Sequence, residues 1–153
     1  DASLELLMRR ATGWTQPFFN VESLRVMVDH IDHSDQSAGH AMGTEATVKV
    51  WVDEDRRVTT AEGNGPVNAL DRALRLALDP SFPELEKIHL TDFKVRILDG
   101  AGATGAVTRV LLDATDGQRD WTTIGVSPNI VQAAWQALEE SLVYGLLHSG
   151  ALR

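Results

Sequence analysis

The sequence has no cysteine, few cations and no long apolar run. The missing cysteines exclude disulfides, thiol catalysis and cysteine-bound zinc, and fit a cytoplasmic setting. Lysine and arginine total 14 against 22 acids, a net charge of −8. That argues against nucleic acid as a partner, because phosphate binding needs clustered cations. No apolar stretch approaches the roughly 18–20 residues that span a bilayer, so no membrane partner is expected. No secretory leader is read at the start. Neither Gly-x-Ser-x-Gly nor a strained elbow appears, so no Ser-His-Asp set is supported and no catalytic residue is assigned. What remains is ordinary for a soluble globular protein: 43% hydrophobic and 24% charged residues. With 153 residues, one domain or one domain with a short lead-in is expected. The chain opens at Asp1, not Met, and is read as a piece whose catalytic part lies upstream.

The most informative positive feature is a half-hidden repeat. Ala46 to Asp53 alternates as a strand, and Thr60-Ala-Glu-Gly-Asn-Gly-Pro66 then leads to a helix. Ala106 to Asp113 and Thr122-Thr-Ile-Gly-Val-Ser-Pro128 do the same. Three offsets align the copies: Arg25 with Lys94, Lys49 with Arg109, and Gly63 with Gly125. The first connection is then nine residues longer in copy one, and the hairpin two residues longer in copy two. Two small units, each ending at a helix start that can hold an anion, suggest a two-fold binding module more than a catalytic centre.

The spacing predicts a helix over 2–11, with Leu4, Leu7 and Met8 as its apolar stripe and a break from Gly13 to Pro17. Strands follow at 23–31, 46–52 and 58–62. Pro66 opens a helix over 66–78, a position that suits a residue without an N–H. Its stripe is Val67, Leu70, Leu74, Ala77 and Leu78. Copy two gives strands near 90–97, 106–113 and 120–126 and a helix over 128–147. That stripe is Val131, Ala134, Trp135, Leu138, Leu142 and Leu146. The predicted fold class is α+β: two βββα repeats, 21–80 and 88–148, related by a pseudo-two-fold axis, with helices packed on small sheets.

His30, His33 and His40, near Asp29, Asp32 and Asp35, raise a metal reading. They fall in a polar, glycine-bearing connection whose spacing fits no tight motif, so no metal site is assigned and poor order is expected over 33–44. Asp53-Glu-Asp55 reads as a solvated turn. Trp51 is expected opposite Val50 and Val52, in a second buried layer or a dimer contact.

Four segments in order carry a resemblance covering nearly the whole chain: Leu4-Glu-Leu-Leu-Met-Arg-Arg10, Glu62-Gly-Asn-Gly-Pro-Val-Asn-Ala69, Leu90-Thr-Asp-Phe-Lys-Val-Arg-Ile97 and Gly125-Val-Ser-Pro-Asn-Ile130. The chain resembles the C-terminal regulatory domain of the α-isopropylmalate synthase and citramalate synthase family. The resemblance implies that 1–20 is a linker helix and lead-in and 21–153 the regulatory domain. It implies a homodimer that binds the end-product amino acid and inhibits its own distant catalytic barrel. The effector is isoleucine in citramalate synthases and leucine in isopropylmalate synthases. Phe93 and Trp135 lean towards the citramalate type. A divalent metal and acetyl-CoA belong to the barrel, so no cofactor and no synthase activity are expected of this chain alone.

A free amino acid needs N–H donors for its carboxylate, carbonyls or a carboxylate for its ammonium, and an apolar slot. The expected effector site lies at the dimer interface. Gly63, Asn64, Gly65, Pro66, Val67, Asn68 and Ala69 form the turn and helix start for the carboxylate. Ser127, Pro128 and Asn129 are its counterpart. Leu90, Phe93, Ile97 and Val107 match positions that line the family's pocket. The Val67 carbonyl, Asp71 and Asp92 are unranked candidates for the ammonium. The bland readings stand beside these: a plain turn with a helix start, a cap, and core strand residues. The competing functions are an isopropylmalate synthase regulatory domain that senses leucine, a structural dimerisation module that has lost its effector, and a small metal-dependent enzyme that uses the histidines.

Overall fold

The computed structural model describes residues 1–29, 43–98 and 106–151. His30, His33 and His40, most of the connection expected to be poorly ordered, and Gly100, Gly102 and Gly105 lie outside them. The elements run α1 (Ala2–Ala11), β1 (Asn20–Asp29), β2 (Gly43–Val52), β3 (Asp55–Gly63), α2 (Pro66–Leu78), a 3-10 turn (Pro83–Lys87), β4 (His89–Leu98), β5 (Val107–Thr115), β6 (Asp120–Ser127) and α3 (Ile130–His148). The α+β order, βββα twice, is as the periodicity predicts. Contacts divide the chain into two compact units, Phe19–Ser81 and Asp1–Phe18 with Phe82 onward.

In the first unit β2 lies between β1 and β3, all antiparallel. Strict alternation puts Ala46, Val48, Val50 and Val52 on one buried face. Against it lie Ala69, Leu70, Ala73, Leu74, Ala77 and Leu78 of α2. Polar hooks fix the helix. Thr59 Oγ1 donates to the Ala73 carbonyl, and Arg57 donates to the Ala77 carbonyl (2.7 Å) and to Ser81 Oγ (2.7 Å). Trp51 points to the other face, as the alternation predicts, but is part-exposed there, with Nε1 3.4 Å from Glu22 Oε1.

The second unit repeats this plan with β5 central. Val110, Leu112 and Ala114 are buried under Ala133, Ala137, Leu138 and Leu142 of α3, and Thr123 Oγ1 donates to the Ala137 carbonyl. Phe18 stacks edge-on against Phe82 at 5.9 Å. α1 belongs here too, packed on α3 and on the edge of β6. Its apolar stripe is not what faces inward. Ala2 and Leu6 are buried, whereas Leu4, Leu7 and Met8 are exposed. Polar contacts flank these two: Ser3 Oγ donates to Glu140 Oε2 and accepts from the Ile124 N–H, Arg10 pairs with Glu140 at 2.9 Å, and Glu5 with His148 at 3.0 Å. The next N–H along the β6 edge, that of Val126, donates to Gln136 Oε1.

The register revises the alignment of the copies. A constant 64 residues separates Thr44 from Thr108, Ala46 from Val110, and Gly63 from Ser127, and each pair occupies the same ladder position. Lys49 therefore matches Asp113, not Arg109, and Gly125 matches Ala61, not Gly63. The connection differs by five residues, since the first strands align at 69 and the rest at 64. The hairpins are of equal length. Likewise α3 begins at Ile130, not Pro128, because Asn129 caps it.

A shared irregularity confirms the offset of 69. β1 is bulged between Val21 and Ser23, and β4 between Leu90 and Asp92. The extra residue turns an odd spacing into a same-face one. Leu90 pairs with Ala114 and Phe93 with Leu112, so both point to the helix side of the sheet.

Candidate functional site

The α2 start is open. Its cap, Gly65, has extended backbone and, among the described residues, makes no side-chain cap bond. Pro66 has no N–H to satisfy. The Ala69 N–H closes the first turn on the Gly65 carbonyl at 3.0 Å. That leaves the N–H groups of Val67 and Asn68 unspent among the described residues. Asn68 holds the approach in place: its Oδ1 accepts from the Asn64 N–H at 3.2 Å. Gly63 is fixed by close packing, for a Cβ there would lie 2.5 Å from the Ala69 nitrogen and 2.6 Å from Asn68 Oδ1. At Gly65 a Cβ would meet nothing within 4 Å.

The α3 start is closed. Asn129 Oδ1 accepts from the N–H groups of Val131 (2.9 Å) and Gln132 (3.2 Å). Buried Ser127 accepts from the Asn129 N–H at 3.1 Å and lies 3.3 Å from Gln132 Oε1. The same two helix positions that stand free in copy one are thus filled by the chain itself in copy two. Ser127 and Asn129 are spent as cap residues, and Pro128 precedes the cap.

β4 carries an uncovered apolar ladder. Phe93, Val95 and Ile97 pair with Leu112, Val110 and Thr108 on the helix side. Yet α3 covers β5 and β6, and Phe93 is 41% and Ile97 73% exposed. Sequence reasoning did not place Val95 in this set, though its spacing was the signal. Leu24, Val26 and Val28 form the matching ladder on β1, where Val28 is also exposed. Val107 pairs with Leu98 and lies on the opposite face from Phe93 and Ile97.

The carboxylate candidates are both engaged. Asp71 pairs with Arg75 at 2.9 Å, and burial pushes its carboxyl up from the ordinary value while Arg75 opposes the shift. Asp92 lies 3.4 Å from Lys94 Nζ and accepts from the Phe93 N–H. Among the described residues, no group of three or more His, Asp or Glu could hold a metal ion, and no helix is long and apolar enough to cross a membrane.

Two βββα units, one with an open helix start and each with a part-exposed apolar ladder on its first strand, make up the α+β fold. The model of the LeuA allosteric (dimerisation) domain matches residues 1–146, and the chain belongs to that family. It is 52% identical over 151 residues to an (R)-citramalate synthase of Streptomyces coelicolor, covering 98% of this chain and 27% of that protein. It is 49% identical over 146 residues to an (R)-citramalate synthase of Synechocystis, covering 95% and 26%. A 2-isopropylmalate synthase of Thermus thermophilus is 32% identical over 133 residues, covering 85% and 37%. The chain thus spans 27% and 26% of the two citramalate synthases, about a quarter of their length.

Proposed function

We propose that this domain binds free isoleucine, and that binding feeds back on the catalytic part of a citramalate synthase to inhibit it. The observation that carries this reading is the asymmetry of the two helix starts. Two unspent N–H groups at the positive end of α2 suit one carboxylate. Separately, the β4 ladder of Phe93, Val95 and Ile97 leaves exposed the kind of apolar surface a branched side chain needs. The higher identity to citramalate synthases than to the isopropylmalate synthase favours isoleucine over leucine.

The domain works as a homodimer in the cytoplasm, its β1 and β4 ladders covered by a second copy. It carries no synthase activity; metal and acetyl-CoA chemistry belong to the barrel. Inhibition follows if the amino acid binds one arrangement of the dimer more tightly than another, by the same free energy that it transmits.

Calorimetric titration of the chain with isoleucine, leucine and valine tests this. Saturable binding with isoleucine preferred is expected. The preference rests on one methyl position, about 1–3 kcal/mol. Leucine preference would make this an isopropylmalate-type sensor. No binding of any of the three would leave a dimerisation module without an effector.

A further inference from the structure

We propose that Asn64 is a spontaneous deamidation site, and that the carboxylate it leaves beside the α2 start abolishes amino-acid binding there; the second half rests on the function proposed above. The chemistry is intramolecular. The Gly65 backbone nitrogen attacks the Asn64 side-chain carbonyl carbon. A C–N bond forms, the amide nitrogen leaves as ammonia with the transferred proton, and a five-membered imide remains. Water then opens the imide at either carbonyl, giving aspartate or isoaspartate. The net exchange is one amide nitrogen for one water oxygen, and solvent is the sole co-reactant.

The sequence and the local fold favour this at one asparagine of four. Asn20, Asn68 and Asn129 precede Val, Ala and Ile, whose side chains crowd the attacking nitrogen; Asn64 precedes Gly. Asn64 is exposed, on the bend between β3 and α2. Among the described residues its side chain makes no hydrogen bond, and the Gly65 N–H donates none. The nucleophile and its target are therefore both free to move. By contrast, the Asp116-Gly117 pair in the β5–β6 hairpin could cyclise by the same route and is held from doing so. Gly117 N–H donates to Thr115 Oγ1 at 3.0 Å, and Asp116 Oδ1 accepts from the Gln118 and Arg119 N–H groups at 2.9 and 2.7 Å. At Asn64 the brace is on the backbone N–H, held by Asn68 Oδ1, and among the described residues neither the side-chain amide nor the Gly65 N–H is hydrogen-bonded. Asparagine is among the thermolabile residues for this reason.

The product matters because of where it lies. A new negative charge at position 64 stands one residue before the α2 cap, facing the same helix dipole that would attract the effector carboxylate. Like charges then compete for one positive end. The isoaspartate form also lengthens the backbone at the turn.

The test incubates the intact chain at mildly alkaline pH and maps its peptides by mass spectrometry. The Asn64 peptide is expected to exchange NH2 for OH and split into two isomers while the peptides of Asn20, Asn68 and Asn129 stay intact. Gly65→Ala, which the open space at Gly65 admits, is expected to slow conversion to the rate of the other three. Conversion of Asn64 no faster than theirs, or unaltered by Gly65→Ala, overturns the modification. The deamidated fraction, separable by its extra charge, is then titrated with isoleucine. Loss of binding is expected, and binding equal to the unmodified chain overturns the switch. If the unmodified chain itself binds no amino acid, the functional reading and the switch fall together, and the peptide map alone decides the modification.

Discussion

Two glycines, two residues apart, should respond to alanine very differently. At Gly63 the added methyl would sit 2.5 Å from the Ala69 nitrogen, 2.6 Å from Asn68 Oδ1 and 2.9 Å from the Ala69 Cα. Two of these atoms are helix backbone, so relief requires the first turn of α2 to move outward. Such overpacking costs about 1–3 kcal/mol. Each kcal/mol lowers Tm by roughly 2–4 °C in a domain of this length. Gly65→Ala meets nothing within 4 Å, and its φ of −175° suits any residue. Its net effect should stay below about 1 kcal/mol, because the lost freedom of the unfolded chain is offset by alanine's poorer fit at a helix cap. Thermal and urea unfolding followed by circular dichroism measure both. Gly63→Ala melting at or above the parent would refute the close approach of β3 to α2. Gly65→Ala losing as much stability as Gly63→Ala would show that the cap has a neighbour or a conformation other than the one described.

Gly65→Asp should leave the fold intact, since its Cβ has room, yet weaken isoleucine binding by placing a charge at the α2 cap; unchanged affinity in calorimetry would move the site elsewhere. Ile97→Asp, on the most exposed rung of β4, should shift sedimentation from dimer to monomer, and an unaltered dimer would mean the ladder is not the interface. Glu139 is pushed up from its ordinary value, chiefly by burial, with Arg10 opposing. The folded state then holds its proton more tightly than the unfolded chain, so stability is lost as pH rises from the unfolded pKa through the folded one. Glu139→Gln should therefore raise Tm at neutral pH, with the gain shrinking as pH falls below the carboxylate range; a gain independent of pH would refute this.

Strand and helix positions were legible because the buried faces are periodic. Val48 and Val50 alternate, and Leu70, Leu74 and Leu78 recur at helical spacing. The junction motif misled. Gly-x-Gly-Pro and Gly-x-Ser-Pro look superimposable, but one helix starts with its proline and the other two residues after it. Asn129, a stronger cap than proline is an opener, decides the second case. The bulges were hidden because an extra strand residue leaves no compositional mark; Leu90 and Phe93, at odd spacing, share a face only through Thr91. The stripe on α1 misread direction. Periodicity shows that Leu4, Leu7 and Met8 lie together, not which side they face; Ala2 and Leu6 take the inward side, flanked by Ser3, Glu5 and Arg10 with partners far along the chain. The open α2 start was visible as glycine and proline, and the closure of its counterpart was signalled by Asn129, a cap residue that the proline before it masked.

Ser3 and Gln136 occupy two outward N–H groups of β6. Strand addition needs those groups unoccupied. The sheet of the second unit can therefore be extended from the β4 side alone. A surface with one permitted direction of growth can meet its own copy once, about a two-fold axis, and is then exhausted. The alternative, head-to-tail stacking of sheets into an open fibre, would require the edge that α1 and α3 have closed. A serine and a glutamine thus close one edge of this sheet, and loosening α1 would reopen the Ile124 N–H while Gln136 of α3 still held that of Val126.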